Sequence, residues 1–278
     1  MSKKFRFSKE SRERMRQFIS GERPAKGLEP VDAQGQDPVP DLPLVAESRT
    51  DIGRVRQSNQ DALIDGVCLW GVADGMGGHN GGETASAGAR DGLIEALDGK
   101  EPSIDALREG VETVNRRLYE QQLGDASLSG MGTTLSVLWL SDNFVYIGHG
   151  GDSRVYLLRD GTLRQMTDDH SLVAELYRLG QLTKEQAANH PMRNVITRAV
   201  GTEETVDVDI TVEERKKGDL WLVCSDGLHG MVSDQQMTAV LMAKSPRSAA
   251  DQLLQMALDA GGRDNVSLVV VLDREGTP

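Results

Sequence analysis

The sequence is poor in aromatic residues, which make up 4% of its 278 residues, and it contains two cysteines. A core with so few large rings must be built mainly from aliphatic side chains, which suits packed layers of sheet and helix. Cys68 and Cys224 each lie inside an apolar run, as reduced core cysteines usually do, so we expect no disulfide framework. One kind of nucleophilic cysteine loop has an arginine six positions after the cysteine. Asp74 and Gly230 stand at these positions here, so the sequence does not contain that loop.

The sequence also lacks a long hydrophobic run. Its longest aliphatic stretch, residues 266–272, is much shorter than the roughly 20 residues that a membrane-spanning helix needs. The basic N-terminus is not followed by the apolar segment of a signal peptide. We therefore expect a cytoplasmic protein with no membrane span.

Positive charge is scarce outside the N-terminus. Residues 1–26 hold nine Lys or Arg against three acids, a local balance of +6, so the rest of the chain must carry −18 to give the total of −12. An acidic body of this kind repels the phosphate backbone of nucleic acids, and we expect no nucleic-acid partner.

Residues 1–42 are predicted to form a flexible extension that is first basic and then Pro-rich, and too polar to pack. Within it, Met15, Phe18 and Ile19 are spaced as on one face of a helix, with arginines nearby. This pattern fits a short amphipathic helix that docks a partner or an anionic surface, but a solvated tail is the favoured interpretation. Residues 43–274 are predicted to form one catalytic domain.

From residue 44 onward, strand-like runs alternate with helical patterns. Residues 133–140, 144–149 and 155–159 are joined by connections too short for a crossover helix, so we expect these strands to be antiparallel neighbours. Separate blocks of hairpins and helix pairs predict an α+β sandwich and not a doubly wound parallel sheet. Further strands are predicted at residues 67–73, 206–211, 220–224 and 266–272, helices at 83–97, 104–123, 233–244 and 246–260, and a polar, helix-prone insert at 170–198.

Four aspartates each stand where an apolar strand-like run meets a glycine turn or an amide: Asp74, Asp152, Asp226 and Asp264. A carboxylate at the end of a strand projects from the edge of a sheet, where several strand ends can converge. One Asp-Gly is an ordinary turn signal, but four such places in one chain predict an all-oxygen site for hard divalent cations.

Clustered carboxylates repel one another, and divalent metals remove that conflict. A purely oxygen set favours Mg²⁺ or Mn²⁺ over zinc or copper. Two such ions about 4 Å apart can share a bridging hydroxide for in-line attack at phosphorus, which predicts inorganic phosphate and a free alcohol as products.

A phosphate substrate also needs a bidentate cation, and residues 50–61 contain two arginines. Guanidinium groups bind phosphate oxygens in a forked geometry that Lys does not provide. From spacing alone, Arg54 and Arg56 are equally good candidates.

Six motifs together resemble those of the bacterial branch of the metal-dependent serine/threonine phosphatases, the protein phosphatase 2C family. They occur in the order of that family and span about residues 44–272. They read GRVRQSNQD (53–61), VADGMGGH (72–79), GTT (132–134), GDSR (151–154), CSDGL (224–228) and RDNVS (263–267).

The resemblance implies a four-layer sandwich, with two packed antiparallel sheets flanked by helices on both faces and a binuclear Mn²⁺ or Mg²⁺ centre at one end. It makes Arg56 the phosphate-binding catalytic arginine and residues 170–198 a flap beside the site. The metal ligands that it implies are Asp74, which bridges both ions, the carbonyl of Gly75, Asp226 and Asp264, with Asp152 at a third, weaker site.

The resemblance also implies supporting roles for Asp61 and Asn265.

The sequence departs from the family at two positions. Gln60 stands where the family usually has Glu, so affinity for the second metal is expected to be lower. Met76 stands where animal members place a His, and His79 is the substitute candidate for a general acid.

The resulting hypothesis is a Mn²⁺- or Mg²⁺-dependent phosphatase that acts on phosphoserine and phosphothreonine of proteins and opposes a bacterial Ser/Thr kinase. The attacking group is the metal-bridging hydroxide, without a covalent phosphoenzyme. An alternative of the same fold is a catalytically weak module that binds phosphoproteins, motivated by Gln60 and Met76.

Overall fold

The computed structural model describes residues 44–77 and 81–275. One of its interior strands is β11 (Val266–Asp273), an apolar run that is buried at nearly every position. Val266, Leu268 and Val270 face a core on one side, and Val269 and Val271 face a second core on the other. Because side chains alternate along a strand, a strand covered on both faces must be apolar throughout.

Five strands form the first sheet, in the order β1-β11-β10-β7-β8. Every pairing in this sheet is antiparallel, and β11 is bordered by β1 and β10. The strands besides β11 are β1 (Leu44–Asp51), β7 (Arg154–Arg159), β8 (Thr162–Gln165) and β10 (Leu220–Cys224).

The second sheet has the order β2-β3-β5-β6-β9, and the short strand β4 pairs with the end of β3. Its pairings are also antiparallel throughout. The six strands are β2 (Asp61–Gly66), β3 (Leu69–Met76), β4 (Gly132–Thr133), β5 (Leu135–Leu140), β6 (Phe144–Gly150) and β9 (Asp209–Glu214).

One prediction about these strands is wrong. β5 and β6 are antiparallel neighbours as expected, but β7 lies in the other sheet, where it pairs with β10 and β8. The connection between β6 and β7 crosses from one sheet to the other, and Gly151 supplies a φ of 114° that other residues adopt rarely. A short connection excludes a crossover helix, but it does not require the two strands to share a sheet.

Helices cover the outer face of each sheet. The second sheet packs against α1 and α2, and the first sheet packs against α6 and α7. The helices of the described residues are α1 (Gly81–Leu97), α2 (Ile104–Gly124), α3 (Leu172–Arg178), α4 (Lys184–Ala188), α5 (Asp226–His229), α6 (Asp234–Ala243) and α7 (Pro246–Asp259).

A third core lies between the two sheets. It contains Val72 and Trp70 from β3 together with Trp221 and Val269 from β10 and β11, all of them buried. The order helix, sheet, sheet, helix confirms the predicted α+β four-layer sandwich. Cys68 and Cys224 are buried and not bridged, as expected.

The insert at residues 170–198 contains α3 and α4, each capped by a side chain at Ser171 or Thr183. Its two ends meet, because the Leu172 N–H donates to the Val195 carbonyl at 2.9 Å and the Thr197 N–H donates to the His170 carbonyl at 2.8 Å. The insert is therefore a loop closed at its base. No helix in the described residues is long and apolar enough to cross a membrane. The predicted extension, residues 1–42, lies outside the described residues.

A buried ion pair fastens the β9–β10 connection to the end of β11. The Arg215 guanidinium donates to both carboxylate oxygens of Asp273, at 2.6 and 2.8 Å, and both side chains are almost fully buried. Removing one partner of such a pair leaves an uncompensated charge in the interior.

We predict that Asp273→Ala lowers the free energy of unfolding by about 4 kcal/mol, because the buried Arg215 charge loses its partner. Denaturant unfolding monitored by circular dichroism measures this change. The control is Glu95→Ala, which breaks the exposed Glu95–Arg117 pair and should leave the midpoint unchanged. Equal stabilities for the two variants would contradict the assignment.

Candidate active site

The centre of the candidate site is the pair Asp61 and Asp74, which lie directly opposite each other on β2 and β3. Both side chains are only partly exposed. Gly75 follows at the end of β3, and its N–H donates to the Gln60 carbonyl at 3.0 Å. A Cβ at Gly75 would lie 2.0 Å from the Gly82 carbonyl oxygen, so only glycine allows α1 to start this close to the two carboxylates.

The first sheet supplies two further carboxylates at the same end of the sandwich. Asp226 follows β10 as the first residue of α5, and Asp264 stands two residues before β11 begins. The two turns touch, since a Cβ at Gly227 would lie 1.9 Å from the Asn265 carbonyl oxygen. Asp226 and Asp264 are electrostatic neighbours of each other and of Asp74.

Hydroxyl groups join the two sheets at this end. The Ser225 hydroxyl donates to Asp61 Oδ2 at 2.8 Å, and it also accepts the Ser267 N–H at 3.0 Å. Asp61 from the second sheet is thereby held against the turns of the first. Sequence reasoning did not single out Ser225, although its position directly before Asp226 was the available signal.

Asn265 holds the arginine-containing loop in place. Its Nδ2 donates to the carbonyls of Ile52 and Ser58 at 3.0 and 2.9 Å, and its Oδ1 accepts the Gln60 N–H at 2.8 Å. Both sides of the side-chain amide are therefore used to fix residues 52–60 beside Asp264. The supporting role that the resemblance implies for Asn265 stays a prediction.

The structure separates the two candidate arginines. Arg56 Nη2 donates to Asp264 Oδ2 at 2.6 Å, and the negative charges of Asp74 and Asp226 also interact favourably with this arginine. The Arg54 side chain packs instead beside Gly262, and the backbone N–H of Arg54 donates to the Gly262 carbonyl. Arg56 is half exposed, so its guanidinium lies between the carboxylate cluster and solvent.

Asp152 is the fifth carboxylate of this group. It is 8% exposed, and it interacts electrostatically with Asp74, Asp226 and Asp264. Its carbonyl accepts a hydrogen bond from His229 Nε2 at 2.9 Å, which fixes the 151–153 turn against α5. All four aspartates that the sequence singled out therefore meet at one end of the sandwich, together with Asp61.

The cluster favours protonated carboxyl groups when no cation is present. Burial raises the pKa of Asp226 to about 8, and the negative charges of Asp152 and Asp264 add to this effect. Burial likewise raises the pKa of Asp61 to about 6, the pKa of Asp152 to about 6, and the pKa of Asp74 well above its ordinary value. Like charges in a shared, desolvated site have this effect.

Two carboxylate oxygens of this cluster, Asp61 Oδ1 and Asp226 Oδ1, are buried without a hydrogen-bond partner among the described residues. Unpaired carboxylate oxygens in an all-oxygen group fit a hard cation such as Mn²⁺ or Mg²⁺. Within residues 44–77 and 81–275, no group of three or more His, Cys, Asp or Glu side chains is placed so that it could hold a metal ion. The carboxylates would therefore have to draw together around an ion. His79, the candidate general acid, lies outside the described residues.

A family model described as Protein phosphatase 2C matches residues 53–260. The chain belongs to the protein phosphatase 2C family. The serine/threonine phosphatase stp of Listeria welshimeri is 40% identical over 238 residues, which are 81% of this chain and 94% of the relative.

Solved structures agree with this assignment. The crystal structure of the Mycobacterium tuberculosis serine/threonine phosphatase PstP superposes with a TM-score of 0.79 at 39% identity, covering 83% of this chain and 99% of that one. A structure of the PstP catalytic domain in complex with two manganese ions gives a TM-score of 0.77 at 37% identity, covering 84% and 99%. The predicted family, fold and enzyme class are confirmed, and the manganese complex agrees with the predicted cofactor. The roles of individual residues stay predictions.

The raised carboxyl pKa values predict how the stability of this phosphatase depends on pH without metal. An unfolded Asp loses its proton near pH 4, whereas folded Asp226 keeps it up to about pH 8, so the metal-free fold loses stability as pH rises through this interval. His149 and His229 act in the opposite direction, because burial lowers the pKa of each to about 4. Their effect ends above the ordinary histidine pKa of about 6.5.

We therefore predict that the unfolding temperature of the chelator-treated protein falls between about pH 7 and pH 8. Thermal unfolding followed by circular dichroism measures it, with Asp226→Asn as the comparison. The variant lacks the titrating group and should show a shallower fall. A wild-type unfolding temperature that rises over this interval would contradict the proton assignment.

Proposed function

We propose that this chain is a Mn²⁺- or Mg²⁺-dependent phosphatase that removes phosphate from phosphoserine and phosphothreonine of other proteins. The observation that carries the proposal is the meeting of five aspartates from both sheets beside one half-exposed arginine. Family membership and the names of the relatives support the same activity.

The proposed metal ligands are Asp74, the Gly75 carbonyl, Asp226 and Asp264, with Asp152 at a third, weaker site. The donor set is oxygen only, and the buried, unpartnered oxygen of Asp226 supports it. Two bound ions supply a water molecule of lowered pKa for in-line attack on phosphorus. Asp61 and Gln60 are proposed to support these ligands. Asp61 accepts a hydrogen bond from the Ser225 hydroxyl, and the Gln60 side chain lies against Gly82.

Arg56 is proposed to hold the phosphate group. Its Nη2 donates to Asp264 Oδ2 at 2.6 Å. If Asp264 binds a cation, the guanidinium N–H groups of Arg56 can donate to phosphate oxygens beside Asp264. Asn265 keeps the loop that carries Arg56 at a fixed distance from Asp264, so the phosphate is oriented relative to the carboxylate cluster.

The remaining predictions about partners and place stay part of this proposal. The substrates are phosphoproteins, and the counterpart is a bacterial Ser/Thr kinase acting on the same proteins. The basic extension, residues 1–42, docks a partner, and the protein acts in the cytoplasm. The balance of +6 over residues 1–26 supports docking to an acidic surface.

We predict that Asp74→Asn and Asp264→Asn each lower kcat/KM by at least about 10³-fold, which corresponds to about 4 kcal/mol of lost transition-state stabilisation. Phosphate release from a phosphothreonine peptide at saturating Mn²⁺ measures it, and addition of a chelator to the wild type should have the same effect. Circular dichroism checks that both variants fold.

Full activity of either variant would overturn the assignment of the metal ligands. A wild-type protein that binds the phosphopeptide but releases no phosphate at millimolar Mn²⁺ would favour the alternative, a catalytically weak binding module.

The two arginines allow a matched comparison. We predict that Arg56→Ala lowers kcat/KM about 30-fold or more, because charge-assisted hydrogen bonds to phosphate contribute about 2 kcal/mol. Arg54→Ala should stay within about threefold of the wild type, since that side chain packs beside Gly262. Steady-state kinetics on the same peptide measures both variants. A larger loss for Arg54→Ala than for Arg56→Ala would reverse the assignment.

A further inference from the structure

The strand pairing beside Asp74 contains a local irregularity. The register of β3 with β5 and β4 places Asp74 opposite Thr134, between the pairs Val72–Ser136 and Gly75–Thr133. In a regular hydrogen-bonded antiparallel pair, each residue donates its backbone N–H to the backbone carbonyl of the other. Here the Thr134 N–H donates to the Asp74 carbonyl at 2.8 Å, but the Asp74 N–H donates to the Thr134 hydroxyl at 3.0 Å.

The Thr134 side chain therefore replaces a backbone carbonyl as the acceptor for Asp74. The Thr134 carbonyl accepts the Thr133 hydroxyl at 2.9 Å instead. Without the Thr134 hydroxyl, the Asp74 N–H would lose this acceptor at a buried point, which is costly. Both backbone polar groups of Asp74 thus depend on one residue, and the Thr134 side chain is fully buried.

The same hydroxyl reaches the other sheet. Thr134 Oγ1 lies 2.7 Å from the hydroxyl of Ser153, which directly follows Asp152. Ser136, two residues after Thr134, donates its hydroxyl to the Ser153 carbonyl at 3.0 Å. The 151–153 turn also approaches closely, because a Cβ at Gly151 would lie 2.6 Å from Thr134 Cβ.

We propose that Thr134 and Ser153 are positioning residues whose hydroxyl pair fixes Asp74 relative to Asp152. Strand pairing relates the two aspartates only indirectly, from β3 through β5 to Gly150 at the end of β6, two residues before Asp152. The hydroxyl pair adds a direct link between the Asp74 N–H and the turn that carries Asp152. The inference rests on the proposed function, in which both aspartates bind metal.

The proposal predicts a loss of metal affinity that is separate from a loss of fold stability. Removing a group that orients a metal ligand typically costs about 10- to 100-fold in affinity. Thr134→Val keeps the shape and removes the hydroxyl, so we expect its Mn²⁺ dissociation constant to rise by about 10-fold or more. Thr134→Ser keeps the hydroxyl and should bind Mn²⁺ like the wild type.

A matched control is available at Thr167. This residue is also buried, and its hydroxyl accepts a backbone N–H, from Val155 at 3.1 Å. Thr167→Val therefore removes the same chemical group from a comparable setting without touching Asp74. We expect it to lower the unfolding temperature of the metal-free protein, as Thr134→Val does, while Mn²⁺ affinity stays unchanged.

The experiment is calorimetric titration of each full-length variant with MnCl₂, with thermal unfolding of the metal-free proteins beside it. Ser153→Ala leaves Thr134 bound to Asp74 and should weaken Mn²⁺ binding less than Thr134→Val does. The double variant Thr134→Val with Ser153→Ala should bind like Thr134→Val alone, because the two hydroxyls act as a unit. If Thr134→Val does not fold, the Mn²⁺ affinities of Ser153→Ala and Thr167→Val are compared instead, and the proposal then requires weaker binding in Ser153→Ala alone.

Wild-type Mn²⁺ affinity in Thr134→Val, or in Ser153→Ala where that variant decides, would overturn the inference. An equal loss in Thr167→Val would overturn it as well, because the effect would then be general loosening. Both results leave the proposed function standing. A wild-type protein that binds Mn²⁺ but releases no phosphate would overturn the proposed function and leave the positioning role intact.

Discussion

Mutual repulsion among five aspartates is the constraint on which this structure depends. Two of them face each other across β2 and β3, and the others come from three separate turns. Burial in one place raises the pKa values of four of these groups, which shows how unfavourable the charged cluster is without a cation. Bound protons or bound cations both reduce the repulsion among these carboxylates, and the fully ionised cluster without a cation is unfavourable.

Hydrogen bonds from side chains hold the turns around this cluster in place. Asn265 ties the Arg56 loop to the β11 turn, and Ser225 ties Asp61 to the β10 turn. Glycines at 75 and 227 allow backbones to touch where any side chain would collide. Such close approach lets groups from distant parts of the chain share one small volume.

Much of this arrangement was accessible from the sequence because apolar periodicity and Asp-Gly turns are local signals. The four long helices, most strands and the convergence of Asp74, Asp152, Asp226 and Asp264 follow from them. The assignment of β7 to the wrong sheet shows the limit, since a turn of a few residues reads the same whether it stays within a sheet or crosses to another. Arg54 and Arg56 were likewise inseparable by spacing, because the choice depends on the contact with Asp264. The Thr134 hydroxyl bond is a tertiary feature that no local pattern encodes.

The central claim is that at least one carboxyl group of the aspartate cluster keeps its proton until divalent ions bind. Calorimetric titration of the wild-type protein with Mn²⁺ at about pH 6.5, repeated in buffers with different heats of ionisation, measures proton release directly. The account predicts Mn²⁺ uptake accompanied by release of at least about one proton per protein. Binding heats that do not depend on the buffer, or no uptake at all, would contradict it.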